Sequence, residues 1–446
     1  MCKFWRHSHK SMSIKTSLIK NTGFNLASYI YLLLASFFSI SILLGNLGRD
    51  LFGAYLFLGS FIPLASVFDF GISTAVVRKL SLPNIEKNER LVIWKTSFAL
   101  FFGISVCLSL VVWGILTYLT STLPMFRIID QSILNATVLI LVITVFINHL
   151  NSHFLSLPQA EQRFDVFNSK TILVGTGNTI LSAILSSIYP NLALIFLLQL
   201  TFHLLTLLYM ARYSVKVFSG KNLLPKYEKK EGKDLINFGI RNFAGSLAGQ
   251  ADIQVSKFAL GSMVSASAIT AFSIPQNIVL KAAGVISQIS QVVFPLSSSL
   301  LEKKRIGKLK KMAIGIELFT LLCGILAVIF SYTFGHQFLL WWLKDAVVVG
   351  VAFPILKIMS FYFLLTALTP IPSVLIQSIG KPQTTSFFAV LTAVINGILM
   401  FTLIPRFGVI GAAYSTLISS FLTVPPFLIV AWILFNKEIR KTLATA

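Results

Sequence analysis

The fold class that the sequence predicts is an all-α polytopic membrane protein. It would have about twelve transmembrane helices in two six-helix bundles related by pseudo-two-fold symmetry, with both termini cytoplasmic. Three observations predict it. The 446 residues are 55% hydrophobic and only 12% charged, with a mean hydropathy of +0.82, too little charge for a soluble chain of this length. The basic residues gather in alternate loops. Short segments of the first half recur at matching places in the second.

Crossing about 30 Å of hydrocarbon takes about 20 apolar residues. Such stretches fall at 18–44, 53–77, 91–119, 133–157, 171–188, 192–210, 235–260, 267–296, 313–334, 348–377, 385–404 and 409–435. The first is longer than a signal-peptide core and has no small-residue cleavage site, so it reads as a retained span. The opening MCKFWRHSHK differs in composition from the rest of the chain, and Met12 is an equally sensible start. Lys3 to Lys20 precede the first span. Arg78, Lys79, Lys87, Arg90 and Lys95 follow the second, and Arg163 and Lys170 the fourth. Seven Lys and Arg between Arg212 and Lys233 follow the sixth, and six between Lys303 and Lys311 follow the eighth. Lys381 follows the tenth, and Lys437, Arg440 and Lys441 close the chain.

About 29 of the 37 Lys and Arg thus fall on one side, against Arg49, Arg127, Lys344 and Arg406 on the other. The positive-inside rule makes the basic side cytoplasmic. The net charge of +22 is therefore a topology signal and not a nucleic-acid footprint. Basic loops of this kind also suit anionic lipid heads of the bilayer.

Charge and hydropathy together divide the chain into a cytoplasmic N-terminus (1–17), a first bundle (18–211), a basic cytoplasmic linker (212–234), a second bundle (235–436) and a cytoplasmic tail (437–446). LIKNTGFN opens the first half and LINFGIRN the second; FGAYLF answers ITAFSI, and LPQAEQR answers IQSIGKP. Internal repeats of this kind suggest a transporter with two bundles about a central axis.

Little else carries chemistry. There is no G-x-x-x-x-G-K-[ST] loop for ATP. GISTA at 71–75 comes after no strand, so it is no nucleophile elbow, and GTGNT at 175–179 reads as helix packing. His149 and His153 lie four apart, as on one face of a metal site, but polar packing near a helix end is the better reading. Cys2, Cys107 and Cys323 have no metal spacing. No motif asks for a cofactor, a metal or a catalytic residue, and the reading is of a non-enzyme.

The intramembrane ionisable residues are Asp69, Arg241, Asp252, Lys257, Lys281, Glu317 and Lys357. Such groups face a bundle interior or a watery cavity. At 100° per residue, Asn277, Lys281, Gly284, Gln288 and Gln291 form one polar stripe on span eight. On span seven, Arg241, Gly245, Ala248 and Asp252 project one way; on span one, Asn21, Asn25, Ser28 and Ser39 share a face. Three such stripes are what a hydrophilic cavity needs. Lys281 either serves that cavity or pairs with Asp69 across the halves. Arg241 has Asp234 as an alternative partner. Lys257 reads as reaching to the outer headgroups. Glu317, about one turn inside its span, would reach back to water, and Lys357 lies in the outer half of span ten.

LGRDLFGAYLFLGSFIPLASVFDFGISTAVVRKLS resembles the first-loop and second-helix signature of Wzx-type polysaccharide flippases, a branch of the multidrug/oligosaccharidyl-lipid/polysaccharide (MOP) exporter superfamily. LPQAEQRFDVFNSKTI, IQSIGKPQTT and RFGVIGAAYSTLIS are similar to later segments of that family, so the resemblance covers nearly the whole chain. It implies a MATE-like export fold, with helices one, two, seven and eight lining a central cavity. It also implies an undecaprenyl-pyrophosphate-linked oligosaccharide as substrate, and a polysaccharide polymerase and chain-length regulator as protein partners. Arg241 and Lys281 would meet pyrophosphate. Asn21, Asn25, Asn277 and Gln288 would meet sugar, with Lys357 a further substrate contact. Asp69, Asp252 and Glu317 would be coupling or structural carboxylates. Asp252 is followed by Ile253 where the family has Asp-Arg.

The sequence therefore reads as a bacterial inner-membrane flippase for O-antigen or capsule repeat units, working by alternating access. A multidrug cation antiporter of the same fold is the first alternative, and a cavity lined with cations counts against it. A membrane-embedded polymerase is the second, and the large outer loops it would need are missing.

Overall fold

The computed structural model describes residues 14–82, 85–302 and 306–444, and all regular elements among them are helical. The first half comprises α1 (Ile14–Gly59), α2 (Phe61–Ser66), α3 (Ile72–Leu80), α4 (Lys87–Thr122), α5 (Gln131–Ala160), α6 (Phe164–Thr176), a π-turn (Gly177–Leu181), α7 (Ser182–Ile188) and α8 (Leu192–Val217). The second comprises α9 (Lys229–Met263), α10 (Ala266–Glu302), α11 (Ile306–Thr333), α12 (Gly335–Leu343), α13 (Ala346–Thr366), α14 (Pro370–Ser378) and α15 (Pro382–Ala444).

Among the described residues, nine helical stretches are long and apolar enough to cross a membrane, which makes this a multi-pass membrane protein. Two of them are double. α1 turns sharply at Gly48 (φ 71°) and α15 at Gly408 (φ 58°), left-handed conformations that suit a residue without Cβ. α9 has 35 residues, long enough to cross, but is too polar to count among the nine. Helices suit this setting because each satisfies its own backbone hydrogen bonds where no water is available. Leu110, Trp113, Leu318 and Phe319 are correspondingly exposed on α4 and α11, as lipid-facing side chains should be.

The turns repeat. Ser265, between α9 and α10, comes 217 residues after the Gly48 turn, the spacing that also separates Leu18 from Leu235 and Phe52 from Ile269. Short polar caps end several spans. Asp130 caps α5 through the N–H groups of Ser132 and Ile133, and Asp345 caps α13 through Val347 and Val348.

The cores are distributed unequally. At the end away from the basic loops, one core runs through both halves, from Leu44, Phe52 and Phe57 through Phe196 to Phe272, Trp342 and Met400. At the basic end the cores are separate. One surrounds Trp94, Phe101, Leu157 and Met210 of the first half and takes in Leu235 and Phe238 of α9, and another surrounds Leu309, Ile371 and Phe435 in the second. Apolar packing between the halves is broad at one end and, at the other, runs through the start of α9.

Candidate functional site

The halves meet along two seams. On the first, α3 lies against α9 at the basic end. A Cβ on Gly239 would strike the Phe70 carbonyl and come within 2.7 Å of the Gly71 carbonyl carbon; one on Gly71 would come within 2.8 Å of the Gly239 carbonyl carbon. The chain reaches that contact through a left-handed pair, Phe70 (φ 52°) and Gly71 (φ 72°), which breaks the second span. Asp69 secures the break by accepting from the Gly71 N–H (2.8 Å), the Ser73 N–H (3.3 Å) and the Ser73 hydroxyl. Below it, Lys79 Nζ lies 2.7 Å from Glu231 and 3.7 Å from Asp234, and the Arg78 guanidinium sits 4.5 Å over the Phe238 ring. Immediately above the glycine contact is a cavity of about 480 Å³, where Asp69, Ser73 and Thr74 face Ser246, Gln250 and Ile253.

On the second seam, α1 crosses α10. The Tyr29 hydroxyl donates to the Lys281 carbonyl at 2.7 Å, and a Cβ on Gly284 would come within 2.7 Å of Tyr29 Cζ. Gly284 belongs to the polar stripe of span eight, so that stripe faces the first half. Nearer the far end the halves are bolted together. Trp342 Nε1 donates to the Phe37 carbonyl at 2.9 Å, and the two rings stack at 4.5 Å. Thr270 donates to the Arg49 carbonyl at 2.6 Å, and a Cβ on Gly53 would meet the Ala266 backbone at 2.5 Å.

The expected site residues disperse. Lys281 and Gln288 lie on the seam stripe, partly exposed. Asn277 is on it too, but its amide donates to Ser273 of its own helix at 2.8 Å. Lys281 and Asp69 form no ion pair, nor does Lys281 with any other described residue. The side chains of Arg241 and Asn21 lie outside the described residues. Asn25 accepts from Asn168 at 2.7 Å and so faces α6 within its own half. Lys357 sits on the α11–α13 contact, 4.7 Å over Phe353 and 5.5 Å over Tyr332. Glu317 lies on α11, one turn past Ala313, where the apolar stretch begins. The helix itself starts earlier, at Ile306 with three lysines in its first two turns, and one Glu317 carboxylate oxygen is buried with no partner among the described residues.

The face of α9 needs correcting. Asp252 accepts from Asn396 of α15 at 2.7 Å, and a Cβ on Gly245 would meet the Ser386 hydroxyl at 2.7 Å, so the stripe expected to line the cavity is turned toward α15, with Gly245 at the cavity's edge. About half a turn round the helix, Gly239, Phe243, Ser246, Gln250 and Lys257 form the stripe that meets the first half. Its signal was a run of small and amide residues at helical spacing, without an acid. Lys257 is likewise turned inward. Its ammonium donates to Gln254 at 2.8 Å and lines a second chamber within the first half. His149 and His153 bond to Ser105 and Ser97 among Trp94, Phe98 and Phe101, and no group of metal-ligating side chains is present among the described residues.

Residues 18–301 match the family described as "Polysaccharide biosynthesis protein". The chain belongs to that family. A Shigella flexneri protein named "Putative O-antigen transporter" is 23% identical over 410 residues, covering 90% of this chain and 94% of the relative. Among solved structures, an inward-facing multidrug resistance MATE family transporter of the MOP superfamily superposes with a TM-score of 0.66 at 15% identity, over 98% of this chain and 97% of that one. Its outward-facing counterpart gives 0.64 at 15%, covering 97% of each. A MOP superfamily transporter from Pyrococcus furiosus, described by the reverse polarity of its binding pocket, gives 0.64 at 13%, covering 96% of each. At those identities the likeness shows the fold: the chain has the MOP transporter architecture. Its relatives are transporters and not enzymes, in keeping with the Wzx-type resemblance.

Proposed function

We propose that the protein is a flippase that carries an undecaprenyl-pyrophosphate-linked oligosaccharide across the bacterial inner membrane by alternating access, for O-antigen or capsule assembly. The observation that carries the reading is the unequal core. The core shared at the far end is extensive, whereas at the basic end the first-half core takes in Leu235 and Phe238 of α9 and the second-half core stands apart, so the halves have less apolar packing to break where the basic loops lie. With each glycine-turned helix counted as two and α9 as one, the membrane segments number about twelve, six in each half, and the basic end is cytoplasmic.

On this reading, Lys281 and Gln288 on the seam stripe receive the head group while the polyprenyl tail stays in lipid. An unpaired lysine at this depth is available to phosphate oxygens, which gain charge-assisted hydrogen bonds from it. Lys281→Arg should keep substantial export, and Lys281→Ala should lose it without losing protein from the membrane. Deleting the gene should strand lipid-linked repeat units in the cytoplasmic leaflet and abolish surface polymer. Normal surface polymer together with new sensitivity to cationic drugs would instead establish the antiporter alternative.

A further inference from the structure

The left-handed pair at Phe70 and Gly71 also sorts side chains. Along a regular helix, neighbouring side chains turn by about 100°. Through this break they alternate. Val67, Asp69 and Gly71 line the polar cavity at the first seam, whereas Phe68 and Phe70 line an apolar groove of about 640 Å³ between the second span and α4. Among the described residues, no side chain that lines the groove carries nitrogen or oxygen. Phe61, Phe68 and Phe70 form one wall. Facing them is a row of small side chains one turn apart on α4, Ala99, Gly103 and Cys107. Gly103 and Cys107 are exposed, and a Cβ on Gly103 would meet nothing within 4 Å, so the groove opens toward lipid there. Rings make the partition between groove and cavity. Phe243 of α9, which also lines the cavity, lies 4.8 Å from Phe70 and 6.0 Å from Phe68.

Phe243 belongs to one half, and Phe68 and Phe70 belong to the other. Parting the halves at this seam therefore takes a ring out of the partition and joins the two spaces. The joined space is polar between the halves, apolar outside them, and open sideways to the bilayer. It fits an amphiphile that keeps a polar group inside the seam and a hydrocarbon chain outside it. Moving from bilayer to groove gives such a chain no hydrophobic gain, because lipid is equally apolar, so selection comes from packing. A straight acyl chain can cover any apolar helix face. Phenyl rings over a floor that lacks side chains leave room for a branched chain, with a methyl group on each isoprene unit. We propose that the groove holds the isoprene units nearest the pyrophosphate of the polyprenyl carrier while the head group crosses between the halves. The proposal rests on the flippase reading and adds to it the place where the tail leaves the protein.

The test is photo-cross-linking of the purified full-length protein in lipid nanodiscs, with a polyprenyl pyrophosphate that carries a diazirine on the isoprene unit next to the pyrophosphate. Adducts should map to residues 61–70 and 99–107. Excess undecaprenyl phosphate should remove them, and excess dioleoyl phosphatidic acid should not. Gly103→Trp fills the groove floor and should lower the yield severalfold. Gly114→Trp, on the same helix but outside the groove, should leave it unchanged. If Gly103→Trp does not fold, Cys107→Phe makes the same test. The proposal is overturned by adducts spread evenly round the lipid face of α4, or by a folded filling variant that cross-links like the parent. Equal competition from phosphatidic acid would overturn it too, by making the groove a site for ordinary acyl chains. So would a protein dimer that the filling variants split, since the groove would then be a contact between copies. Flipping of a sugar-bearing polyprenyl lipid in liposomes by the same preparation separates the two failures. Protein that flips the lipid but does not cross-link here keeps the flippase reading and loses the groove; protein that does neither loses both.

Discussion

Substituting Gly239 with alanine acts directly on the contact that brings the halves together at the basic end. The new Cβ would strike the Phe70 carbonyl and lie 2.7 Å from the Gly71 carbonyl carbon, where ordinary contact begins at about 3.4 Å. Both obstacles are backbone, so no side chain can swing aside, and α3 and α9 must part by close to 1 Å. Overpacking of this kind costs about 1–3 kcal/mol. If the cost falls on the closed seam alone, the ratio of closed to parted seam drops about 5- to 150-fold. The assay is the rate at which a cysteine at Gln250, in the cavity above the contact, reacts with a bulky water-soluble maleimide in a background lacking the native cysteines. The rate should rise at least fivefold in Gly239→Ala. Gly249→Ala is the control, because a Cβ there meets nothing within 4 Å, and it should leave the rate unchanged. A folded Gly239→Ala protein labelled within twofold of the parent would refute the reasoning.

Three further outcomes are expected. The Lys79–Glu231 pair is partly exposed, so it is worth about 1 kcal/mol or less and is weakened by salt. Raising ionic strength should speed labelling at position 250 in the parent but much less in Glu231→Gln. Trp342, 5% exposed and stacked on Phe37, belongs to the shared core, so Trp342→Ala should cost about 3 kcal/mol and lower the unfolding midpoint measurably. Asn396→Leu leaves the Asp252 carboxylate without its amide donor and should reduce folded yield, while Asp252→Leu with Asn396→Leu should restore much of it. Equal yields for the single and double variants would contradict that pairing.

The all-helical, multi-pass character was legible because apolar runs of span length are a strong signal, and each is written in one stretch of chain. The polar stripe of α10 was legible for the same reason: spacing alone places Lys281, Gly284 and Gln288 on one face, and Tyr29 packs on that face. The face of α9 was not. Charge drew attention to Asp252, but a carboxylate on a helix says nothing about which neighbour will satisfy it, and Asn396 is 144 residues away in sequence. The face that meets the other half is marked instead by Gly239, whose importance lies in the backbone it must approach. Asp69 misled in a similar way. Its depth suggested an ion pair across the halves, but its oxygens serve the local break at Phe70 and Gly71. Lys257 looked free to reach the lipid heads, and only the packing of α9 against the first half shows its ammonium turned inward.

The central claim is that this chain moves a lipid-linked oligosaccharide between leaflets without ATP. Purified protein in liposomes that carry a labelled undecaprenyl-pyrophosphate oligosaccharide, with an enzyme outside that cleaves the exposed sugar, measures it directly. In empty liposomes about half the sugar should be cleaved, corresponding to the outer leaflet, and with the parent protein cleavage should run toward completion without nucleotide. Lys281→Ala protein, incorporated to the same level, should slow that second phase severalfold. Cleavage that stops at the empty-liposome level with folded parent protein present would contradict the flippase reading.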